Sequence, residues 1–275
     1  MSRTYKLGLI GCGNMGSALL RGIKSAGVYQ PSEMIFSEAS GALVKEKEAA
    51  FGVTGTCDNA ALAKNSDIIA IVVKPQHLNG VADQIREVIE PDQIIVVVAA
   101  GRTIASIKEV FTTLAVAGSL KIVRTMPNTP AMVGESMTAL CVNDHMEEED
   151  IAKVKAIFSA IGRVEVVDES MMDLITGLSG SGPAFIYMLI EAMADEAVRS
   201  GMARNNAYLF ASQTVLGSAK MVRDTGQHPG KLKDLVCSPG GTTIAGVCAL
   251  EEAGFRDAIM KGVRAATNRS MEMTK

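Results

Sequence analysis

A glycine-rich turn near the start of the chain has the residue types and spacing of a phosphate-binding loop. Gly11-Cys12-Gly13-Asn14-Met15-Gly16 follows a short apolar strand, residues 7–10, and leads into a helical pattern that ends near Gly27. In G-x-G-x-x-G the first glycine permits a tight turn, the second removes a side chain where a pyrophosphate approaches, and the third lets the helix pack closely on the strand. Free N–H groups at the helix N-terminus can bind the phosphates. The turn therefore predicts a dinucleotide site.

A second loop, in the last part of the chain, has the groups needed to bind a carboxylate. Residues 238–243 read Ser-Pro-Gly-Gly-Thr-Thr and precede a helical pattern that the hydroxyls of Ser238 and Thr242 can cap. The N–H groups of Gly240, Gly241 and Thr242 can form a concave anion site. The hydroxyl of Thr243 can donate a hydrogen bond to a nitrogen or oxygen at a reacting centre. A well-capped helix without any ligand accounts for the same residues equally well.

The end of the second predicted strand bears on which dinucleotide would bind. Glu38 has the spacing of a carboxylate that accepts a hydrogen bond from the ribose 2′-hydroxyl of NADH. Ser37 and Ser40 could instead bond the 2′-phosphate of NADPH, although no arginine follows them. The residues alone leave NADPH and NADH both open.

Three further segments follow strands of the predicted sheet, where a parallel sheet opens its binding crevice. They are Val73-Lys74-Pro75, Ala99-Ala100-Gly101 and the turn Met126-Pro127-Asn128-Thr129-Pro130, which presents Asn128 and Thr129. A surface lysine, a small-residue turn and a structural proline turn account for them about equally well. They are candidates for the cofactor site by position alone.

Composition and spacing exclude several classes of protein and site. A net charge of −3 and 4% aromatic residues argue against a nucleic-acid partner. The five cysteines are never spaced as C-x-x-C, so neither a disulfide framework nor a zinc site is expected, and we expect them to be small buried hydrophobes. None of the three histidines adjoins a serine motif or forms a metal-ligand pattern. Without a membrane-length apolar run or a signal sequence, a cytoplasmic location and no membrane partner are expected.

Apolar runs alternate with helical patterns through the first part of the chain, which predicts βαβ units. Strands are expected at residues 7–10, 34–36, 68–73, 94–98, 121–125, 138–142 and 164–167, with helices that begin near residues 14, 42, 76, 103 and 147. Several strands are continuously apolar, as in a parallel sheet covered by helices on both faces. The predicted fold class is therefore α/β, with an N-terminal Rossmann-type, doubly wound sheet.

After about Asp168 the pattern becomes entirely helical. Helices are expected at residues 183–200, 205–225, 230–236, 242–253 and 255–274. The sequence thus predicts a dinucleotide-binding domain, residues 1–168, and an all-helical domain, residues 169–275. The many methionines and alanines of the second domain offer more apolar surface than a thin layer would bury, which favours association between copies of the chain.

Five segments, in order along the chain, resemble the pyrroline-5-carboxylate reductase family. They are the glycine-rich turn, Val73-Lys74-Pro75, residues 126–130, residues 178–184 and residues 238–243. The resemblance implies a Rossmann domain followed by a helical dimerisation domain. It also implies reduction of the cyclic imine (S)-1-pyrroline-5-carboxylate to L-proline by NAD(P)H, the last step of proline biosynthesis. The implied assembly is an intertwined homodimer, often in a ring of five dimers, in which the partner's helices complete each active site.

The same resemblance implies roles for individual residues. Ser238 and the backbone of residues 240–242 would hold the substrate carboxylate, and Thr243 would bond the ring nitrogen, with Thr242 as the alternative. Asn59 resembles the family position that contacts the adenosine ribose, whereas Val73, Lys74, Ala99, Ala100 and Asn128 resemble those around the ribose and nicotinamide. Members of the family mostly prefer NADPH, although Glu38 stands here where many have a small or polar residue.

Two other classes of function share part of this pattern. A β-hydroxyacid dehydrogenase has the same domain plan but needs an acid/base lysine near the start of its helical domain, and no lysine occurs between Lys155 and Lys220. A non-catalytic dinucleotide sensor would keep the glycine-rich turn but has no reason to keep a second anion loop. Consumption of the cofactor distinguishes an enzyme from a sensor.

Overall fold

The chain folds as two units in the computed structural model, which describes residues 3–98, 100–113 and 119–274. Residues 181–265 form a helical unit, and the other described residues form a unit built on a sheet. The predicted functional domains, residues 1–168 and 169–275, divide the chain differently and stay a prediction. No described helix is both long enough and apolar enough to cross a membrane.

Eight strands form one mixed sheet in the first unit. They are β1 (Tyr5–Ile10), β2 (Met34–Ser37), β3 (Thr54–Thr56), β4 (Ser66–Ile71), β5 (Ile94–Val98), β6 (Lys121–Met126), β7 (Ser136–Val142) and β8 (Gly162–Val166). Their order in space is β3-β2-β1-β4-β5-β6-β7-β8. All neighbours are parallel except β6 and β7, which are antiparallel. The strand order reverses between β1 and β4, where a sheet of this kind opens a ligand crevice at its carboxyl edge.

The predicted fold class is confirmed, and all seven predicted strands are present, with two corrections. Strand β3 was not predicted, because Thr54-Gly55-Thr56 contains no apolar residue that would produce a strand pattern. The sheet is not wholly parallel, because only residues 127–135 connect β6 to β7. A parallel pair needs a crossover of about a dozen residues or more, so this short connection makes the pair antiparallel.

Helices cover both faces of the sheet. They are α1 (Asn14–Ala26), α2 (Gly41–Phe51), α3 (Asn59–Lys64), α4 (Leu78–Ile85), α5 (Ile104–Phe111) and α6 (Glu148–Ser159). Leu9 and Val96 are buried in a core that α1 and α6 share, whereas Ile69 and Ile95 are buried in a second core with α4 and α5. The strands are continuously apolar because each of their faces meets one of these layers.

Helix α1 positions the glycine-rich turn. Leu19, Leu20 and Ile23 lie on one side of the helix and are fully buried, which fixes the helix against the sheet. The helix ends where Gly27 adopts a left-handed φ of 68° and its N–H bonds to the carbonyls of Ile23 and Lys24. The N-terminus of α1 is thereby held directly behind the turn that leaves β1.

The last part of the chain contains the five helices that the sequence predicts there. A short helix, α7 (Met172–Ile175), and a π-helical turn (Thr176–Gly180) come first and belong to the sheet unit. They are followed by α8 (Gly182–Arg199), α9 (Arg204–Thr225), α10 (Pro229–Val236), α11 (Thr242–Glu252) and α12 (Phe255–Thr274), the last of which ends in the sheet unit. Helices α8 to α12 begin and end within one residue of the predicted bounds. Ala194, Ala207 and Ala211 are buried between α8 and α9, where their small side chains allow close packing.

Candidate active site

A cleft of about 1030 Å³ opens beside the glycine-rich turn in the first unit. Residues at the carboxyl ends of β1, β2 and β4 line it, which places it at the reversal of strand order. Ten predicted cofactor residues are among its lining: Gly11, Gly13, Asn14, Met15, Ser37, Glu38, Asn59, Val73, Lys74 and Ala100. The fold therefore brings together in one cleft candidates that lie far apart in the sequence.

The three glycines of the turn differ in what a side chain would meet. Gly11 has a φ of 92°, and a Cβ there would lie 2.9 Å from the carbonyl oxygen of Val72. A Cβ on Gly16 would clash with the carbonyl oxygen of Gly11, so this glycine permits the close approach of α1. Gly13 has a φ of −68°, which any residue can adopt, and no described residue beyond its chain neighbours has an atom within 4 Å of its Cβ position. The space left at Gly13 fits an approaching pyrophosphate.

The carboxylate of Glu38 is fixed against the glycine-rich turn. Its Oε1 accepts a hydrogen bond from the backbone N–H of Cys12 at 2.9 Å, and its Oε2 accepts one from the N–H of Ala39 at 3.3 Å. The side chain is half-buried and lines the cleft. Glu38 thus presents a negative charge at the end of β2, where the sequence predicts contact with the adenosine ribose.

A chain of hydrogen bonds crosses the cleft from β2 to α4. The hydroxyl of Ser37 donates to Oδ1 of Asn59 at 2.5 Å, and Nδ2 of Asn59 donates to Oε1 of Gln84 at 2.7 Å. Ser37 is buried, whereas Gln84 is exposed. These bonds fix the orientation of the Asn59 amide and leave its second N–H and the Gln84 amide N–H groups free to donate.

Several lining residues were not singled out from the sequence. They include Cys57, Gln76, His77, Gly80, Gln84 and Met132. His77, Gly80 and Gln84 recur every three or four residues after Lys74, and they lie on the exposed side of α4 and of the turn before it. That helical spacing is the signal that could have identified these three. The contribution of Met132 has no comparable pattern in the sequence.

Five predicted cofactor residues lie in the described part of the chain but outside the cleft lining. Cys12 and Gly16 are buried beneath the turn, and Pro75 begins a single 3-10 turn, Pro75–His77. Gly101 adopts a left-handed φ of 68° and lies against Met273 of α12. Asn128 is the fifth. Ala99 lies outside the described residues.

Asn128 uses its side chain to hold the turn between β6 and β7. Its Oδ1 accepts hydrogen bonds from the hydroxyl of Ser136 at 3.1 Å and from the N–H of Met137 at 3.0 Å. Its Nδ2 donates to the carbonyl of Ser179, in the π-helical turn, at 3.0 Å. Asn128 therefore fixes a segment whose neighbouring residues, Met126 and Thr129, line the cleft.

The second predicted loop lies in the helical unit at the start of α11. Gly240 has a left-handed φ of 67°, and the N–H of Gly241 donates to the carbonyl of Ser238 at 3.0 Å. The predicted capping by the hydroxyls of Ser238 and Thr242 is wrong, because Gly241 is the N-cap residue and Thr242 is already the first residue of the helix. Of the three N–H groups expected to bind an anion, that of Gly241 is thus already bonded. Ser238, Gly240 and Thr242 are exposed, and Thr243 is half-buried.

Known proteins resemble the chain over its whole length. Residues 169–273 match the family model described as pyrroline-5-carboxylate reductase dimerisation, and residues 6–101 match NADP oxidoreductase coenzyme F420-dependent. A pyrroline-5-carboxylate reductase of Methanosarcina acetivorans is 43% identical over 270 residues, which cover 98% of each chain. The chain belongs to the pyrroline-5-carboxylate reductase family.

Solved structures agree with membership of the pyrroline-5-carboxylate reductase family. The reductase of Coxiella burnetii matches with a TM-score of 0.91 and 32% identity over 99% of both chains. The reductase of Plasmodium falciparum, solved with NADP bound, matches with a TM-score of 0.86 and 32% identity over 100% of both. The chain is therefore an oxidoreductase with a site for a nicotinamide cofactor.

The thiols of this reductase-family chain lie in different environments. Cys12 and Cys141 are buried, and burial raises the pKa of Cys12 and raises that of Cys141 to about 11. The expectation that all five cysteines are buried is wrong for Cys57 and Cys248, which are exposed. Cys57 follows the edge strand β3, beyond the core, and lines the cleft.

Within the described residues, no three His, Cys, Asp or Glu side chains are grouped to hold a metal ion.

Proposed function

We propose that the chain reduces the C=N bond of (S)-1-pyrroline-5-carboxylate with NAD(P)H to form L-proline, the last step of proline biosynthesis. Full-length similarity to reductases of this name supports the proposal, because it includes both the dinucleotide cleft and the loop before α11. Within this reaction the chain has two tasks, which are to hold the cofactor and to hold and protonate the imine.

Cofactor binding would use the cleft beside the glycine-rich turn. When bound, NAD(P)H supplies the hydride that reduces the imine carbon. The N–H groups of Asn14 and Met15 would bind the pyrophosphate in the space left by Gly13, because the first turn of α1 has no helical acceptors for them. The adenosine ribose would lie against Ser37, Glu38 and Asn59, and the nicotinamide half against Val73, Lys74, Ala99, Ala100 and Asn128. Rigid positioning of this kind supplies most of the rate enhancement expected here.

Substrate binding would use the loop before α11. The hydroxyl of Ser238 and the N–H groups of Gly240 and Thr242 would hold the carboxylate, helped by the positive end of the helix dipole. The hydroxyl of Thr243 would donate a hydrogen bond to the ring nitrogen, with Thr242 as the alternative donor. An imine nitrogen is readily protonated, so a hydroxyl suffices where a harder reaction would need a carboxylic acid.

A Thr243→Ala variant should lower kcat/KM for the imine by about 10- to 100-fold, because one hydrogen bond that strengthens in the transition state is lost. The KM for the cofactor should not change, since Thr243 is not among the residues proposed to hold the cofactor. Steady-state rates at varied imine and saturating cofactor measure the effect. Thr243→Ser, which keeps the hydroxyl, should retain most of the activity. A larger loss in Thr242→Ala than in Thr243→Ala would instead assign the bond to Thr242.

Oxidation of the cofactor by the purified protein tests the proposed reaction. Racemic pyrroline-5-carboxylate should consume NADPH or NADH and yield an equivalent amount of proline, measured by amino-acid analysis. Binding of both cofactors without turnover of the imine would contradict the proposal and favour a dinucleotide sensor.

The chain would act as a homo-oligomer. The segment 169–273 matches a dimerisation family, and large apolar side chains on α8 and α9 are more than half exposed in the single chain: Tyr187, Met188, Leu209, Phe210 and Leu216. Contact with a second copy would remove this surface from water. In more detail, we propose an intertwined dimer that assembles into a ring of five dimers.

Five free cysteines suit a reducing compartment, which supports a cytoplasmic location.

The choice between NADPH and NADH as the reductant depends on the groups that surround the adenosine ribose. NADP bound to the related Plasmodium reductase supports NADPH. A carboxylate at the end of β2 favours NADH, because it accepts a hydrogen bond from a free ribose 2′-hydroxyl. Both cofactors carry the same nicotinamide, so the difference concerns binding rather than hydride transfer.

A further inference from the structure

The two nicotinamide cofactors differ only at the adenosine ribose, which carries a 2′-hydroxyl in NADH and a 2′-phosphate in NADPH. In a cleft at the carboxyl edge of a Rossmann-type sheet, that ribose lies at the end of β2. Here the end of β2 carries Ser37 and Glu38. The groups at this position therefore decide which cofactor is tolerated.

We infer that the anchored carboxylate of Glu38 makes this chain select NADH over NADPH, an inference that rests on the proposed use of NAD(P)H. The bonds from the N–H groups of Cys12 and Ala39 hold Glu38 at the cleft wall, so the side chain is not free to swing into solvent. A carboxylate has about four acceptor sites, and these two bonds occupy two of them. The remaining sites can accept hydrogen bonds from the ribose 2′- and 3′-hydroxyls.

The neighbouring hydroxyl groups offer little to a 2′-phosphate. The proton of Ser37 is already donated to Asn59, so Ser37 can only accept. Ser40 caps α2 by accepting from the N–H of Leu43 at 3.3 Å. Ser40 keeps its proton, but a single neutral donor does not offset the charge of a fixed carboxylate.

Basic side chains are also missing from this part of the cleft. Among the described residues that line it, the basic ones are Lys74 and His77, both between β4 and α4. Cofactor sites that accept a 2′-phosphate place an arginine near the end of β2 instead. The 2′-phosphate would add about −1.5 to −2 charges within a few ångströms of Glu38, and no described residue that lines the cleft beside Glu38 is a cation that would compensate.

Repulsion between the 2′-phosphate and the carboxylate of Glu38 should make NADPH bind at least about 10-fold more weakly than NADH. Dissociation constants for both cofactors, measured by fluorescence titration without any imine, test this directly. Glu38→Gln keeps an oxygen that can accept from Cys12 and removes the charge, so its NADPH affinity should rise about 10-fold or more. Glu38→Ser should show the same change in preference. Glu46→Gln removes an equal charge from the exposed face of α2 and should leave the ratio unchanged.

Two results would overturn the inference. One is a wild-type protein that binds NADPH as tightly as NADH, and the other is a Glu38→Gln variant with an unchanged affinity ratio. Because the titration contains no imine, its outcome is independent of the proposed reaction. NADH-selective binding without reduction of pyrroline-5-carboxylate would contradict the proposed function and leave the assignment of Glu38 standing.

Discussion

A Gly13→Val variant should lose at least about 100-fold in affinity for NAD(P)H while keeping its fold. The backbone accepts valine because Gly13 already has a φ of −68°. The side chain enters space in which no described residue beyond the chain neighbours has an atom within 4 Å of the Cβ. That space lies at the cleft wall beside the N-terminus of α1. A branched side chain there keeps the pyrophosphate from about two N–H donors, whose charge-assisted bonds contribute about 1.5–3 kcal/mol each.

Fluorescence titration and the thermal unfolding temperature together separate loss of binding from loss of folding. Gly41→Val is a matched control, because Gly41 also has open space around its Cβ position but starts α2 outside the cleft. Both valine variants should unfold near the wild-type temperature, and only Gly13→Val should fail to bind. Gly16→Ala should behave differently and lower the unfolding temperature, since its Cβ would push α1 away from the turn. Normal binding by Gly13→Val would refute the placement of the pyrophosphate.

The elements that the sequence predicts well are those in which one physical signal dominates. Strand β5 is apolar at every position, and β4 is apolar from Ile68 onward, because both faces of these strands are buried. Helix α1 combines a glycine turn before it, a buried apolar side and a C-terminal glycine at position 27. Helices α8 to α12 are separated by glycine or proline, so their bounds could be read to within one residue.

Features that depend on neighbours in space could not be read in this way. Strand β3 is defined by its pairing with β2, through Ile35 with Thr54 and Ser37 with Thr56, and not by its own composition. The antiparallel direction of β7 follows from the short connection between β6 and β7. The positions of apolar runs, from which the strands were predicted, do not specify strand direction. The N-cap of α11 was assigned to a hydroxyl by preference, although Gly241 takes that position and its N–H bonds to Ser238.

The residues of the candidate site show the same difference between local sequence signals and contacts made in space. Residues within a local motif, such as Gly13 and Glu38, were predicted because the motif itself specifies a role for them, and both line the cleft. Gln84 was missed because its importance depends on reaching Asn59 across the cleft, a contact between α4 and the start of α3. Asn128 was identified for its turn, but its amide is bonded to Ser136, Met137 and Ser179, which only the fold could show.

Removing the carboxylate of Glu169 should destabilise the protein by about 3–5 kcal/mol, the expected cost of leaving a buried charge without its partner. That charge is Arg124 of β6, whose side chain is only 2% exposed and whose Nη1 lies 3.2 Å from Oε1 of Glu169. The Nε of Arg124 has no hydrogen-bond partner among the described residues. The ion pair with Glu169 is therefore the main interaction that stabilises the buried charge of Arg124. Glu169→Leu also loses the acceptor for the N–H of Ile104 at the start of α5.

The effect of breaking this pair should depend on which partner is removed. Glu169 is 36% exposed, so in Arg124→Met the remaining carboxylate can take up water, and we expect a smaller loss of about 1–2 kcal/mol. Glu169→Gln keeps an acceptor for Ile104 and should fall between the two. The double variant Arg124→Met/Glu169→Leu should recover much of the loss in Glu169→Leu, because no buried charge remains. Urea unfolding at one protein concentration measures all four variants. Equal losses in Glu169→Leu and Arg124→Met would show that burial of Arg124 is not what makes the pair necessary.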